Sequence, residues 1–221
     1  FTLCLLTILS YRSTDLALRI QLLLLFVIGL ALISIFSGDA NQLNLSQREI
    51  LSLPSQDTVY FWQAFAVFFP AVTGIEAGLS MSGTLKDPAR SLPLGTIGAV
   101  VSGYIIYILI ALLLFYSVPT AYLQNHPLVL YHMAKVGFLV LLGIYCATLS
   151  SALGGLLGAP RTLQALAKDK IIPSFLISYK SQRTTILITF SIALSLFFVG
   201  GLNTIASILS MFFLSSYGML N

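Results

Sequence analysis

Phe68-Phe69-Pro70-Ala71-Val72-Thr73-Gly74-Ile75-Glu76-Ala77-Gly78 lies in the middle of an apolar block over residues 59–81. Pro70 removes a backbone donor and clashes with the preceding turn, and Gly74 and Gly78 weaken the helix further. Inside a bilayer, irregular backbone survives only where protein or a watery cavity satisfies it. The stretch therefore reads as two half-helices with a break near 70–74. The first would end in free carbonyls near Phe69 and Pro70, suited to a cation, with the Thr73 hydroxyl at the same depth. The second would begin with free N–H groups near Gly74, Ile75 and Glu76, suited to an anion. The competing reading is a plain proline kink, with Gly74 and Gly78 in a G-x-x-x-G spacing that lets helices approach. Glu76 weighs toward a site. It lies inside an apolar block, away from the ends, where an acid is costly enough to be functional by default.

The rest of the chain is equally apolar. Of its 221 residues, 57% are hydrophobic and 8% charged, against roughly 25% charged in a soluble domain. Apolar blocks cover residues 1–9 (short, a partial span), 16–36, 59–81, 94–118, 137–158, 184–199 and 202–221. Most approach the roughly 20 residues that cross a bilayer core. The expectation is an all-α membrane protein, one transmembrane domain over 1–221 with about six full or nearly full spans. The chain opens without Met inside one apolar run and stops at Asn221 inside another, so a fragment is expected.

The net charge of +4 does not point to nucleic acid, because the basic residues form no face and no aromatic platform. They sit in short connections. With alternating spans, Arg12, Arg19, Lys86, Arg90, Arg161, Lys168, Lys170, Lys180 and Arg183 fall on one side, Arg48 and Lys135 on the other. The basic side is expected to be cytoplasmic, in a multi-pass protein of the plasma (inner) membrane. Cys4 and Cys146 lie in apolar blocks and make no disulfide framework.

A second candidate lies in the block after residue 137. Ala147, Ser151 and Gly155 are four apart, as are Ser150, Gly154 and Gly158, which makes one broad small face on a helix. That face either packs tightly, with the serines bonded back to their own helix, or offers Ser150 and Ser151 oxygens to sodium.

Several motifs together resemble the cation–chloride cotransporters, within the amino acid–polyamine–organocation superfamily. They are Phe-Phe-Pro-Ala-Val-Thr-Gly-Ile (68–75), Ser-Gly-Thr-Leu-Lys-Asp-Pro (82–88), Leu-Pro-Leu-Gly-Thr (92–96), Ala-Thr-Leu-Ser-Ser-Ala-Leu (147–153), Gly-Ala-Pro-Arg-Thr-Leu-Gln-Ala-Leu-Ala-Lys-Asp (158–169) and Ile-Leu-Ser-Met-Phe-Phe-Leu-Ser-Ser-Tyr (208–217). The short loops are similar to those of microbial members. The resemblance implies a LeuT-like inverted-repeat fold of which this chain holds the end of the fourth span through most of the tenth. It implies Pro70 and Thr73 on a potassium-like cation, Gly74, Ile75 and Tyr217 on chloride, and Ala147, Ser150 and Ser151 on sodium. Glu76 departs from the animal cotransporters, which carry an apolar residue there. Amino-acid permeases of the superfamily often place an acid at this point.

The function expected is secondary active transport, a sodium-coupled symport of inorganic ions. The alternative is an amino-acid permease, sodium- or proton-coupled, with Glu76 as proton relay. A structural membrane subunit does not explain a broken helix with an acid in it. An enzyme would need a catalytic constellation. There is no H-E-x-x-H, His126 and His132 share one loop, and Gly78-Leu79-Ser80-Met81-Ser82 only imitates a nucleophile elbow. No cofactor and no transition-metal site are expected, only transported or coupling ions: sodium, with potassium and chloride. The partners expected are the lipid bilayer and small ions or amino acids, with a homodimer as the candidate assembly.

Overall fold

The computed structural model describes residues 4, 6–8, 10, 14–39, 60–80, 82–85, 87–119, 122–123, 126–172, 182–198 and 201–220. Among them every regular element is helical: α1 Thr14–Phe36, α2 Phe61–Phe68, α3 Ile75–Leu79, α4 Pro88–Ser117, α5 Val129–Met133, α6 Gly137–Lys168, α7 Gln182–Phe197 and α8 Leu202–Leu220. The all-α class and the broken helix are as the sequence reads, and the architecture is consistent with a LeuT-like transporter fold.

Local chemistry sets the helix ends. Asp87 precedes Pro88 at the start of α4, and the Ser91 N–H closes the first turn on the Asp87 carbonyl at 3.0 Å. Proline fits a first helical position because its missing N–H would be unsatisfied there anyway. α6 stops on a Schellman motif. The Lys170 N–H donates to the Ala167 carbonyl at 3.2 Å and the Ile171 N–H to the Leu166 carbonyl at 3.0 Å. Lys170 itself is left-handed, with φ 60°.

By length and composition, three described helices can cross a membrane: 16–36 within α1, together with α4 and α6. The most apolar stretch of α4 buries none of its residues. A helix that is apolar all round and exposed all round suits lipid, not water. Phe115 and Tyr116, at the end of α4, are 76% and 81% exposed. The protein is an integral membrane protein.

Contacts divide the chain into two compact units. One comprises residues 1–12, 58–99 and 154–221, the other 13–57 and 100–153. In the second unit the end of α1 docks on the segment after α5. The Ser34 hydroxyl accepts from the Val136 N–H at 2.9 Å and donates to the Val136 carbonyl at 3.1 Å. The Lys135 N–H donates to the Ser34 carbonyl at 3.1 Å. Ile35, Ala134 and Val140 are buried together beside them. Gly143 meets the methyl of Ala31, which lies 2.5 Å from where its own Cβ would stand. The first unit holds the broken helix.

Candidate functional site

The break is built residue by residue from the end of α2. The helical ladder runs as far as the Phe69 N–H, which bonds the Phe65 carbonyl. The next rung would join residue 70 to Ala66, and Pro70 has no N–H to make it. Phe69–Val72 tightens into a 3₁₀ turn. Thr73 is then extended, with φ −101° and ψ 173°, and Gly74 takes φ +118°. Only glycine enters that region at low cost. A Cβ on Gly74 would meet nothing within 4 Å, so the glycine serves backbone shape and not close packing. A Cβ on Gly78, which lies in helical α3, would also meet nothing within 4 Å. Among the described residues the G-x-x-x-G pair therefore brings no helix close, and the segment is unwound where a simple kink would keep it helical.

The carbonyl expected to be free at Pro70 is not free. It accepts from the Thr73 N–H at 3.3 Å and from the Thr73 hydroxyl at 2.7 Å. The reason is local: the 3₁₀ turn swings the Thr73 donors back over the carbonyl three residues earlier. Thr73 keeps its hydroxyl lone pairs while donating its proton, so the cation-type oxygens at this point are a bonded Pro70–Thr73 pair.

On the other side of the break, the Gly74 N–H donates to the Tyr217 hydroxyl at 3.3 Å. Tyr217 is half-buried on α8. Its ring sits edge-on to Phe69, with centroids 6.5 Å apart, and stacks on Phe213 at 5.9 Å. Ile75 opens α3, which has five residues. So short a helix carries little aligned dipole. An anion would meet the individual N–H groups of Gly74 and Ile75 rather than a helix field. Glu76 is the second residue of α3, and its side chain lies outside the described residues.

α8 lies against both α2 and the 3₁₀ turn. Ser210, 4% exposed, donates to the Ala66 carbonyl at 2.6 Å and to its own helix at Ala206 at 2.9 Å. Sequence reasoning passes over Ser210. The signal that finds it is the orphaned carbonyl four residues before a proline, together with a serine seven residues before Tyr217, two helical turns away on the same face.

Pro70, Thr73, Gly74, Ile75 and Tyr217 thus fall in one unit, at one break. Ala147, Ser150 and Ser151 belong to the other unit, on α6. Ser150 is half-buried, whereas Ala147 and Ser151 are exposed. The bonds back to the helix backbone on α6 are made by Thr148, to the Tyr145 carbonyl at 2.9 Å, and by Thr162, to the Gly158 carbonyl at 3.4 Å.

A span that unwinds at a proline and a glycine is a feature shared with the discontinuous helices of secondary transporters. The chain belongs to the amino acid permease family, whose model matches residues 1–221. It is 36% identical over 220 residues to solute carrier family 12 member 8 of Mus musculus, covering 92% of this chain and 31% of that protein. It is 34% identical over 216 residues to the Homo sapiens protein of the same name, covering 90% of this chain and 30% of that one. It is also 33% identical over 199 residues to the bumetanide-sensitive sodium-(potassium)-chloride cotransporter of Manduca sexta, covering 73% of this chain and 19% of that protein. The chain therefore spans less than a third of the length of these curated relatives. They bear out the resemblance to cation–chloride cotransporters. They are animal proteins, and the microbial reading of the short loops finds no support in them.

Proposed function

We propose that the protein is a secondary active transporter, a sodium-coupled symporter of inorganic ions. In this reading Pro70 and Thr73 hold a potassium-like cation, Gly74, Ile75 and Tyr217 hold chloride, and Ala147, Ser150 and Ser151 hold the coupling sodium. The observation that carries it is the approach of the Tyr217 hydroxyl to the Gly74 N–H at 3.3 Å. A backbone donor and a phenolic O–H, side by side at an unwound segment, can both turn to an anion. Family membership and relatives named as cotransporters support the same reading. The absence of a catalytic motif in the sequence weighs against an enzyme. The excess of Lys and Arg on one set of loops supports an orientation with those loops in the cytoplasm, and the membrane proposed is the plasma membrane.

Glu76 favours a second reading, an amino-acid permease, sodium- or proton-coupled. It directly follows the two anion donors, where a charged carboxylate would repel chloride. Radiotracer uptake by the full-length protein separates the two, with labelled chloride, rubidium and amino acids tested with and without sodium. Sodium-dependent uptake of rubidium and chloride is expected. Uptake of an amino acid with neither ion moving would overturn the first reading in favour of the second.

A further inference from the structure

We propose that Ser210 is a positioning residue for the ion-binding break, standing in for the backbone donor that Pro70 lacks. The inference rests on the transport reading of that break. Its structural part stands on geometry alone.

An α-helix interrupted by proline leaves the carbonyl four residues earlier without its partner. Here that carbonyl belongs to Ala66, since the last regular rung joins Phe69 to Phe65. In an apolar surrounding an orphaned carbonyl is costly, and something else must donate to it. The Ser210 hydroxyl does so at 2.6 Å, from a residue 144 positions away in the chain. Serines on helices commonly bond back to their own carbonyls, and Ser215 and Ser216 of α8 do that, at 2.8 and 2.9 Å, from exposed positions. Ser210 differs in being buried and in sharing its proton between Ala206 at 2.9 Å and Ala66 at the shorter distance. The shorter contact crosses to the broken helix.

The register then explains what the bond does. Ser210 and Tyr217 are seven residues apart, two turns on one face of α8. Ser210 grips the Ala66 carbonyl, four residues before the proline, and Tyr217 accepts the Gly74 N–H, the last one before α3 begins. α8 thus holds both ends of the break at two fixed points, and Thr73 lies between them. Releasing the Ser210 grip frees the end of α2 to shift, which loosens the Pro70–Thr73 oxygen pair without removing any atom from it. The expected consequence is weaker ion binding with turnover retained.

Two measurements on the full-length protein test this. In the first, Ser210→Ala should raise the half-saturating concentration of the transported ion about three- to tenfold, the worth of one hydrogen bond. Maximal uptake per molecule at the cell surface should stay within about twofold on the same scale. Ser210→Thr, which keeps the hydroxyl, should restore the wild-type curve. Superimposable curves for Ser210→Ala and wild type would overturn the proposal. The second measurement needs no transport. Pro70→Ala gives the helix back its own N–H donor, so Ser210→Ala should lower the Tm of the purified protein clearly in the wild-type background and much less in the Pro70→Ala background. Equal Tm losses in both backgrounds would overturn the coupling. If the wild-type protein moves no ion at all, the transport reading fails, and the Tm cycle still decides whether Ser210 replaces the missing donor.

Discussion

The Gly74 N–H meets the Tyr217 hydroxyl at 3.3 Å, joining residues 143 positions apart at the one point where the chain leaves helical geometry between α2 and α3. The hydroxyl is the acceptor toward Gly74. Tyr217→Phe removes that oxygen and leaves the ring contacts with Phe69 and Phe213 in place. The chloride concentration for half-maximal uptake should rise by about three- to tenfold, the worth of roughly 1 kcal/mol. Surface expression should be unchanged. A chloride titration of rubidium uptake checks this. An unaltered chloride dependence would leave Tyr217 a packing residue.

Gly74 and Gly78 should respond differently to the same substitution, although the sequence presents them as a pair. Gly74 stands at φ +118°, where a side chain costs about 1–3 kcal/mol of backbone conformation. Gly78 lies in helical α3, and a Cβ there meets nothing within 4 Å. Gly78→Ala should be neutral or stabilise by up to about 1 kcal/mol. Gly74→Ala should lower the Tm and abolish most uptake, because the Gly74 N–H can no longer point at Tyr217. Equal tolerance of both would show that the positive φ is not needed.

The location of the break was legible because proline and glycine act through their own backbones, and those effects do not depend on distant partners. The state of the Pro70 carbonyl was not legible. Whether an unwound carbonyl is free depends on where the next hydroxyl swings, and the Thr73 hydroxyl swings back onto it. Tyr217 came from family resemblance alone, since nothing in an apolar helix singles out one tyrosine. Ser210 was readable in principle: the missing rung at Ala66 demands a donor, but only the fold says which serine supplies it. Ser34 was hidden for the same reason, because a serine near a helix end reads as an ordinary terminal residue.

Ser34 makes a stability prediction in the second unit. Its hydroxyl both accepts from and donates to Val136, at 2.9 and 3.1 Å, and the residue is 5% exposed. Ser34→Ala leaves the N–H and the carbonyl of Val136 without that partner. The cost should be about 1–3 kcal/mol. It should appear as faster amide exchange at Lys135 and Val136, while amides of α2 and α8 exchange as before. Unchanged exchange at Val136 would mean that the bonds contribute little.

Glu76 separates the two transport readings. If it relays protons, Glu76→Gln abolishes proton exchange at that position, and uptake should lose its dependence on pH. If the protein is a sodium-coupled ion symporter in which Glu76 stays out of the ion path, wild type and variant should share one pH profile. Uptake measured as a function of pH under a fixed sodium gradient decides between them.

Ser150 and Ser151 carry the sodium assignment, and their packing alternative makes an opposite forecast. Sodium gives up its water only for several neutral oxygens at fixed distances, and two adjacent hydroxyls could supply two of them, with Ala147 adding a carbonyl. Ser150 is half-buried and Ser151 exposed on α6, while the bonds back to the helix backbone on this helix are made by Thr148 and Thr162. If the serines only pack, the double Ala variant should be tolerated, because Ala is small and the best helix former. If they hold sodium, the variant should still fold and reach the surface, yet need at least about tenfold more sodium for half-maximal uptake, the loss expected for about 1.4 kcal/mol. Loss of two weak neutral ligands is worth at least that much where no water replaces them. The sodium titration is run on wild type and variant with surface expression measured alongside. Coincident sodium curves would assign the two serines to packing and remove them from the ion path.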